Sequence, residues 1–265
     1  MKPKLIVVGS AGRMGRRIIS AALDSARFDI IAALEKTGCP DIGKDAGELA
    51  CGKSISLKIS DSWPAAADVA IDFSQPAAAD DTISRCLDKK IALVLGTTGL
   101  TPQQHEKIKA ASAKIPVLYS TNTSLGMNVL FALVGKLASM LGEDYDIEIV
   151  EQHHRFKKDS PSGSAITLAE NICKATGANF SDAVIFGRHG KDALRKKGQL
   201  AIHSVRAGDI TGVHSVIFGT TGETISLNHT ASTTECFAKG ACLAAAWLVG
   251  KKPALYSMAD VLNIK

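Results

Sequence analysis

Four consecutive apolar residues, Leu5-Ile-Val-Val8, run straight into Gly9-Ser-Ala-Gly12-Arg-Met-Gly15, and the stretch that follows repeats Ile18, Ile19, Ala22 and Leu23 at helical spacing. That order, strand then glycine turn then helix, restricts the fold more than any other feature of the chain. Glycines permit a tight turn, let a phosphate approach the backbone and let helix and strand pack closely, while the helix N-terminus favours negative charge. The spacing is G-x-x-G-x-x-G rather than G-x-G-x-x-G, and an ordinary βα turn can carry it. A second apolar run, Ile30 to Leu34, ends in Glu35-Lys36. An acidic residue at the tip of the second strand is placed to accept ribose hydroxyls, and a lysine beside it to pair with a 2′-phosphate. Gly9, Gly12, Gly15 and Glu35 together therefore predict a dinucleotide site open to both NADPH and NADH.

The alternation continues through Val69–Phe73, a helix from about Pro76 to Leu87, Ile91–Leu95, a helix started by Pro102, and Pro116–Tyr119. Strands that are apolar throughout and alternate with helices imply a parallel sheet covered on both faces, with ligands at the carboxyl ends of its strands. Three loops leave those ends with small residues: Gly9 to Gly15, Gly96 to Gly99, and Thr121 to Ser124.

After Ser124 comes an almost uniformly apolar helix, interrupted by Asn128, Gly135 and Lys136, which reads as buried in protein rather than in a membrane. From about Tyr145 the pattern changes to strands joined by glycine turns, at Gln199–Arg206, Val213–Phe218 and Glu223–His229; Glu235 to Val249 then reads as a helix returning to the first domain. The expected class is α/β: a Rossmann-type doubly wound parallel sheet (1–123 and 234–265) with an inserted α+β substrate and oligomerisation domain (124–233). A length of 265 residues and a hydrophobic share of 46% are enough for two such cores.

Within the second domain, Glu151-Gln-His-His-Arg-Phe-Lys-Lys-Asp-Ser-Pro-Ser-Gly-Ser164 crowds proton-transfer groups and cations against a helix start. Strand alternation places His153 and His154 on opposite faces, which argues against a two-histidine metal clamp. Ser160-Pro161 reads as N-cap and first helical residue, leaving the amides of Ser162, Gly163 and Ser164 outward as an anion site, with Lys157 and one histidine adding charge beside it. The pattern suits a small-carboxylate pocket with a built-in acid; a basic loop leading to a capped helix would look similar.

The remaining features set bounds. Six cysteines without C-x-x-C pairing imply a reducing compartment, and no targeting segment stands out, so a cytoplasmic location is expected. A net charge of +5 with 5% aromatics lacks the basic and aromatic interleaving that single-stranded nucleic acid requires. No nucleic-acid, membrane or metal partner is expected. The basic run Arg188 to Lys197 reads as a solvated loop.

Taken together these motifs resemble the 4-hydroxy-tetrahydrodipicolinate (dihydrodipicolinate) reductase family of lysine and diaminopimelate biosynthesis. The resemblance rests on V-G-S-A-G-R-M-G at 8–15, A-L-E-K at 33–36, I-D-F-S at 71–74, G-T-T-G at 96–99, E-x-H-H-R-x-K-x-D-x-P-S-G-S at 151–164 and V-R-A-G-D-I-x-G at 205–212. It implies that Gly9, Ser10, Ala11, Gly12, Arg13, Met14 and Glu35 hold the dinucleotide, with Lys36 at the 2′-phosphate position. It also implies that Gly96, Thr97 and Thr98, with Thr121, Asn122, Thr123 and Ser124, line the nicotinamide side. His153 corresponds to the family's proton donor or acceptor, Lys157 to its proton donor, and His154, Gly163 and Ser164 to its carboxylate binders. The substrate implied is a small cyclic imine dicarboxylate, and the assembly a homotetramer. Ser164 stands for the usual threonine and keeps its hydroxyl, whereas the segment after His229 lacks the basic residues many members carry. A dehydrogenase of another small amino or imino acid would share the nucleotide half; a dinucleotide-sensing regulator would need a strongly basic face that is not found.

Overall fold

The computed structural model describes residues 1–264, which divide into two compact units, residues 1–125 with 234–264 and residues 126–233. In chain order the elements are β1 (Lys4–Val8), α1 (Arg13–Ser25), β2 (Asp29–Leu34), α2 (Ala46–Cys51), β3 (Ile59–Ser60), β4 (Val69–Asp72), α3 (Pro76–Lys89), β5 (Ala92–Leu95), α4 (Pro102–Ser112), β6 (Pro116–Tyr119) and α5 (Leu125–Leu141). A 3-10 turn, Gly142–Asp144, leads to β7 (Asp146–His153), α6 (Gly163–Thr176), α7 (Phe180–Ala183), β8 (Val184–Ile185), β9 (Leu200–Arg206), β10 (Gly212–Thr220) and β11 (Glu223–Ala231). The chain closes with α8 (Glu235–Leu248), β12 (Ala254–Tyr256) and α9 (Met258–Val261).

In the first unit seven parallel strands run in the order β12-β6-β5-β4-β1-β2-β3, the doubly wound arrangement expected from the alternating pattern. Period-2 geometry sends Leu5 and Val7 of β1 into one layer with Ile18 and Ile19 of α1 and Ala241 and Ala245 of α8, and sends Ile6 and Val8 into the other with Ile83 of α3 and Ile108 of α4. Each fully buried aliphatic side chain contributes about 1.5–3 kcal/mol, so β1, buried on both faces, anchors the unit. Local signals agree with the packing. Pro76 opens α3, and Thr101 with Gln104 forms a reciprocal capping box at the start of α4, behind Pro102. The direction of winding reverses between β1 and β4, so the turns after these two strands flank the switch point where this architecture binds ligands.

The second unit is a mixed five-stranded sheet, β11-β10-β7-β9-β8, with α5 and α6 packed on one face. Its core joins Ile149, Ile202, Val216 and Phe218 of the sheet to Met127 and Val134 of α5 and Leu168 and Ile172 of α6. The expectation that α5 is buried holds for one face only: Val129, Leu133 and Met140 are exposed, because a helix lying on a sheet covers a single stripe. The basic run 188–197 is also not a simply solvated loop. Arg188 grips Glu148 through two bonds of 2.8 and 2.9 Å, and Arg195 bonds Glu148 and Asp146 and donates to the Gln199 carbonyl. Those carboxylates project from β7, and this fixes the two arginines of the run while its lysines remain in solvent.

Candidate active site

Alternation along β7 puts Ile147, Ile149, Glu151 and His153 on the face that meets the helices. Ile149 lies opposite Ile202 and Val216 in the apolar core. Two residues further along the same face the chemistry changes, for Glu151 lies opposite Ser204 and His214, His214 opposite His229, and His153 opposite Arg206. The core face thus becomes polar at the end of the sheet where α6 begins.

Glu151 is fully buried, and a buried carboxylate is tolerated only with complete pairing. Its Oε1 accepts from Arg206 at 2.8 Å and from the Ser162 amide at 3.1 Å; its Oε2 accepts from Arg206 at 2.9 Å and lies 2.5 Å from His153 Nδ1. Burial opposes the charge on Glu151, yet the bonds from His153, Arg206 and Ser204 override it and hold the carboxyl far below the usual carboxylate range. The same guanidinium donates to the Asp159 carbonyl at 2.7 Å and so ties down the segment that carries Lys157. Lys157 is a mostly covered cation 2.9 Å from the Asp159 carboxylate; burial works to raise the pKa of Asp159, but Lys157 draws it below its ordinary value.

His214 stacks edge-on against His153, with ring centroids 5.2 Å apart, and its Nε2 is 3.0 Å from Ser162 Oγ. Burial, reinforced by the charge of His153, depresses it to about 3, so it stays neutral. Ser162 is the cap of α6, its hydroxyl accepting from the Ala165 amide. The expected cap, Ser160, stands two residues too early: Ser160-Pro161 lies outside the helix, and the Ser162 amide is not an outward donor because Glu151 occupies it. Gly163 and Ser164 remain as the first helical residues, the positions whose amides suit an anion. His154 lies just past the strand beside Phe156, its Nδ1 buried without a hydrogen-bond partner.

In the first unit Gly9 turns with φ +74°, and a Cβ on Gly15 would fall 2.1 Å from the Gly9 carbonyl oxygen, so α1 sits directly against the turn. Gly12 caps α1, placing Arg13 and Met14 in its first turn. Glu35 accepts from the Ala11 amide at 3.1 Å, which joins the tip of β2 to the turn, and Lys36 is exposed beside it. At the end of β4 the buried Asp72 accepts from the Ser74 amide at 2.7 Å and from Thr97 Oγ1 at 3.1 Å, while Thr98 is exposed. Ser10 Oγ, Ser74 Oγ and Asp72 Oδ2 are buried without partners. In the loop after β6, Thr121 is exposed, Asn122 Oδ1 accepts from the Ser124 amide at 2.9 Å, and the buried Thr123 donates to the Phe237 carbonyl of α8 at 2.7 Å.

The sequence assigns no role to Glu151, Arg206 or His214, and gives Ser162 only an outward amide, whereas its amide meets Glu151 and its hydroxyl caps α6 beside His214. Period-2 counting back from His153 reaches Glu151 between two core positions, a signal that was available; the pairing of β7 with β9 and β10, which brings in Arg206 and His214, is not encoded locally.

A doubly wound sheet with a glycine turn and an acidic strand tip, joined to a mixed-sheet unit holding a buried histidine-carboxylate-arginine cluster, is the build of a two-domain oxidoreductase of the dinucleotide-binding class. Residues 3–123 match the family model "Dihydrodipicolinate reductase, N-terminus" and residues 126–262 the model "Dihydrodipicolinate reductase, C-terminus". The chain belongs to the dihydrodipicolinate reductase family. It is 42% identical to the 4-hydroxy-tetrahydrodipicolinate reductase of Anaeromyxobacter dehalogenans strain 2CP-C over 265 residues, covering 99% of this chain and 98% of the relative. Identity to the enzyme of that name from Nitrosospira multiformis is 41%, over 98% of each chain. Among solved structures, the dipicolinate-bound dihydrodipicolinate reductase of Paenisporosarcina sp. TG-14 matches over 100% of both chains, with TM-score 0.72 and 21% identity. An amine dehydrogenase from Mycobacterium smegmatis matches with TM-score 0.60 and 11% identity over 97% and 95%. At those identities the structural likenesses speak for the fold.

Proposed function

We propose that the chain reduces the cyclic imine dicarboxylate of the diaminopimelate and lysine pathway to tetrahydrodipicolinate, drawing on NADPH or NADH. The observation that carries this reading is His153: a nearly buried imidazole on an ionised carboxylate, in the same unit as a helix start able to receive an anion. His153 and Lys157 act as the proton-transfer groups, and His154, Gly163 and Ser164 bind carboxylate. Charge-assisted hydrogen bonds supply about 1.5–3 kcal/mol each and an exposed helix terminus roughly 0.3–1 kcal/mol, so a dianion calls for cations and amides together.

The first unit fits a dinucleotide. Close packing at Gly15 leaves the turn open to phosphate, and the orphaned Ser10 hydroxyl lies in that same turn. Gly9, Ser10, Ala11, Gly12, Arg13 and Met14 would hold the pyrophosphate, Glu35 the ribose and Lys36 a 2′-phosphate. Gly96, Thr97, Thr98 and Thr121 to Ser124 would form the nicotinamide side. When bound, the reduced nicotinamide supplies a hydride. A homotetramer in the cytoplasm, with this small dicarboxylate as its partner, completes the reading; the outer sheet face bearing Val150, Val205, Val213 and Ile217 supports self-association.

Steady-state NADPH oxidation with freshly generated substrate, beside calorimetric titration with NADPH, tests the assignment. His153→Ala or Lys157→Ala should lower turnover by about a hundredfold or more and leave NADPH affinity near wild type. A large loss of cofactor binding would move both residues to the nucleotide site.

A further inference from the structure

We infer that Glu151, clamped by Arg206, is the positioning residue for proton transfer: it holds His153 through Nδ1–H, so that Nε2 is the nitrogen that gives up a proton. The inference rests on the assignment of His153 as proton donor and goes beyond it by naming the group that makes this imidazole an acid.

Four observations converge. His153 Nδ1 and Glu151 Oε2 are 2.5 Å apart, a charge-assisted bond that fixes the tautomer and the ring plane. Glu151 cannot move, because both oxygens are also taken by Arg206 and one by the Ser162 amide. Arg206 is itself fixed by the Val205 and Asp159 carbonyls, at 2.8 and 2.7 Å. On the other side of the ring, Nε2 lies over Gly212, where an added Cβ would sit only 3.2 Å away; the absence of a side chain there keeps this nitrogen from being crowded.

The charged and titratable groups around the ring come from every neighbouring element. Glu151 lies on the same strand, Arg206 on β9, His214 on β10, His229 beyond it on β11, and Lys157 and Asp159 in the connection that follows β7. Arg206 and Glu151 offset each other in charge. His214 stays neutral and adds no repulsion. The imidazolium therefore gains the carboxylate bond, at an oxygen it shares with the guanidinium of Arg206. The proton balance is simple. Nε2–H passes its proton to the substrate as the hydride arrives at ring carbon, the ring becomes neutral with Nδ1–H still on Glu151, and solvent restores the lost proton.

A purely structural Glu151 would only pin the start of α6 to β7. Glu151→Gln separates the two roles: its carbonyl oxygen can still accept from Ser162, but its amide faces Nδ1 as a donor, which disfavours the imidazolium and favours the other tautomer. Expected are a turnover at least tenfold lower at neutral pH, NADPH affinity within about twofold of wild type, and an alkaline limb of the kcat/KM profile displaced by about one pH unit to lower pH. Glu151→Asp should recover part of both, and the 15N shifts of the His153 ring should report Nδ1–H in wild type and its loss in Glu151→Gln. Should Glu151→Gln not fold, the limb position in Glu151→Asp and the wild-type ring shifts decide instead. A limb that His153→Ala abolishes but Glu151→Gln leaves in place overturns the positioning role alone. A limb that survives in His153→Ala removes the proton-donor assignment itself.

Discussion

The neutral His214 has one ring nitrogen on Ser162 and the other, Nδ1, buried with no partner. An empty acceptor is cheaper to bury than an N–H, so the proton belongs on Nε2, donating to Ser162 Oγ, which in turn accepts from Ala165. This histidine ties acid stability to the site. Its folded value, lowered to about 3 by burial and by His153, lies below the ordinary 6.5, so as pH falls through that window the unfolded chain takes up a proton that the folded chain refuses. Stability contributed by His214 is complete above the ordinary value and is lost on acidification, at about 1.4 kcal/mol per pH unit. His229, depressed by its own burial, acts in the same direction, and Glu151 adds a further loss only once carboxylates begin to protonate. Urea midpoints at several pH values between about 6.5 and 5 should therefore slope less steeply in His214→Gln, which keeps the donor to Ser162; equal slopes would mean that His214 is protonated in the folded state.

How much of the fold could be read in advance depended on element length. The strands β1, β4, β5 and β6, and the helices between them, announce themselves by apolar runs and proline or threonine starts, and β9 to β11 by alternation between glycine turns. β3, α2, α7, β8, β12 and α9 have two to six residues each, too few for a period to register, and are held by neighbours distant in sequence. The start of α6 was displaced for a different reason: Ser160-Pro161 carries the stronger local signal, but Ser162 makes the cap because its amide is drawn to a buried carboxylate on β7. The segment from Gly187 to Gln199 behaves likewise, its order coming from Glu148, which binds Arg188, Arg195 and His203 together. Burial disfavours the charge on Glu148, but Arg188 and His203 keep it ionised and below its usual range. Glu148→Gln would leave two guanidinium groups crowded around a neutral amide. Tryptic cleavage at Arg188 and Arg195 should then quicken about tenfold, corresponding to a loosening of roughly 1.4 kcal/mol, with little change in overall melting. Unchanged cleavage would show that the run is ordered by something other than its carboxylate.

At the level of the whole chain, the two kinds of chemistry are segregated: every residue assigned to the dinucleotide falls in one compact unit, and both proton-transfer groups and the carboxylate binders fall in the other. That segregation makes ligand-specific protection a discriminating test. A ligand that binds only the native state at about a hundredfold its Kd stabilises the part that binds it by about 2.7 kcal/mol, which hydrogen exchange resolves segment by segment. NADPH alone should slow exchange in the turn from Gly9 to Gly15, at Glu35 and Lys36 and in the loop from Gly96 to Gly99. The end of β7 and the first turn of α6 should exchange as before. Adding pyridine-2,6-dicarboxylate, a planar dianion, should slow the amides of Gly163 to Ala165 and the segment from His153 to Lys157. A Lys36→Ala variant should keep the protection given by NADH and lose a large part of that given by NADPH if the lysine is, as proposed, the cation for the 2′-phosphate. Protection of the α6 start by NADPH alone, with no response to the dicarboxylate, would exchange the roles of the two units and undo the assignment of His153 and Lys157 along with them.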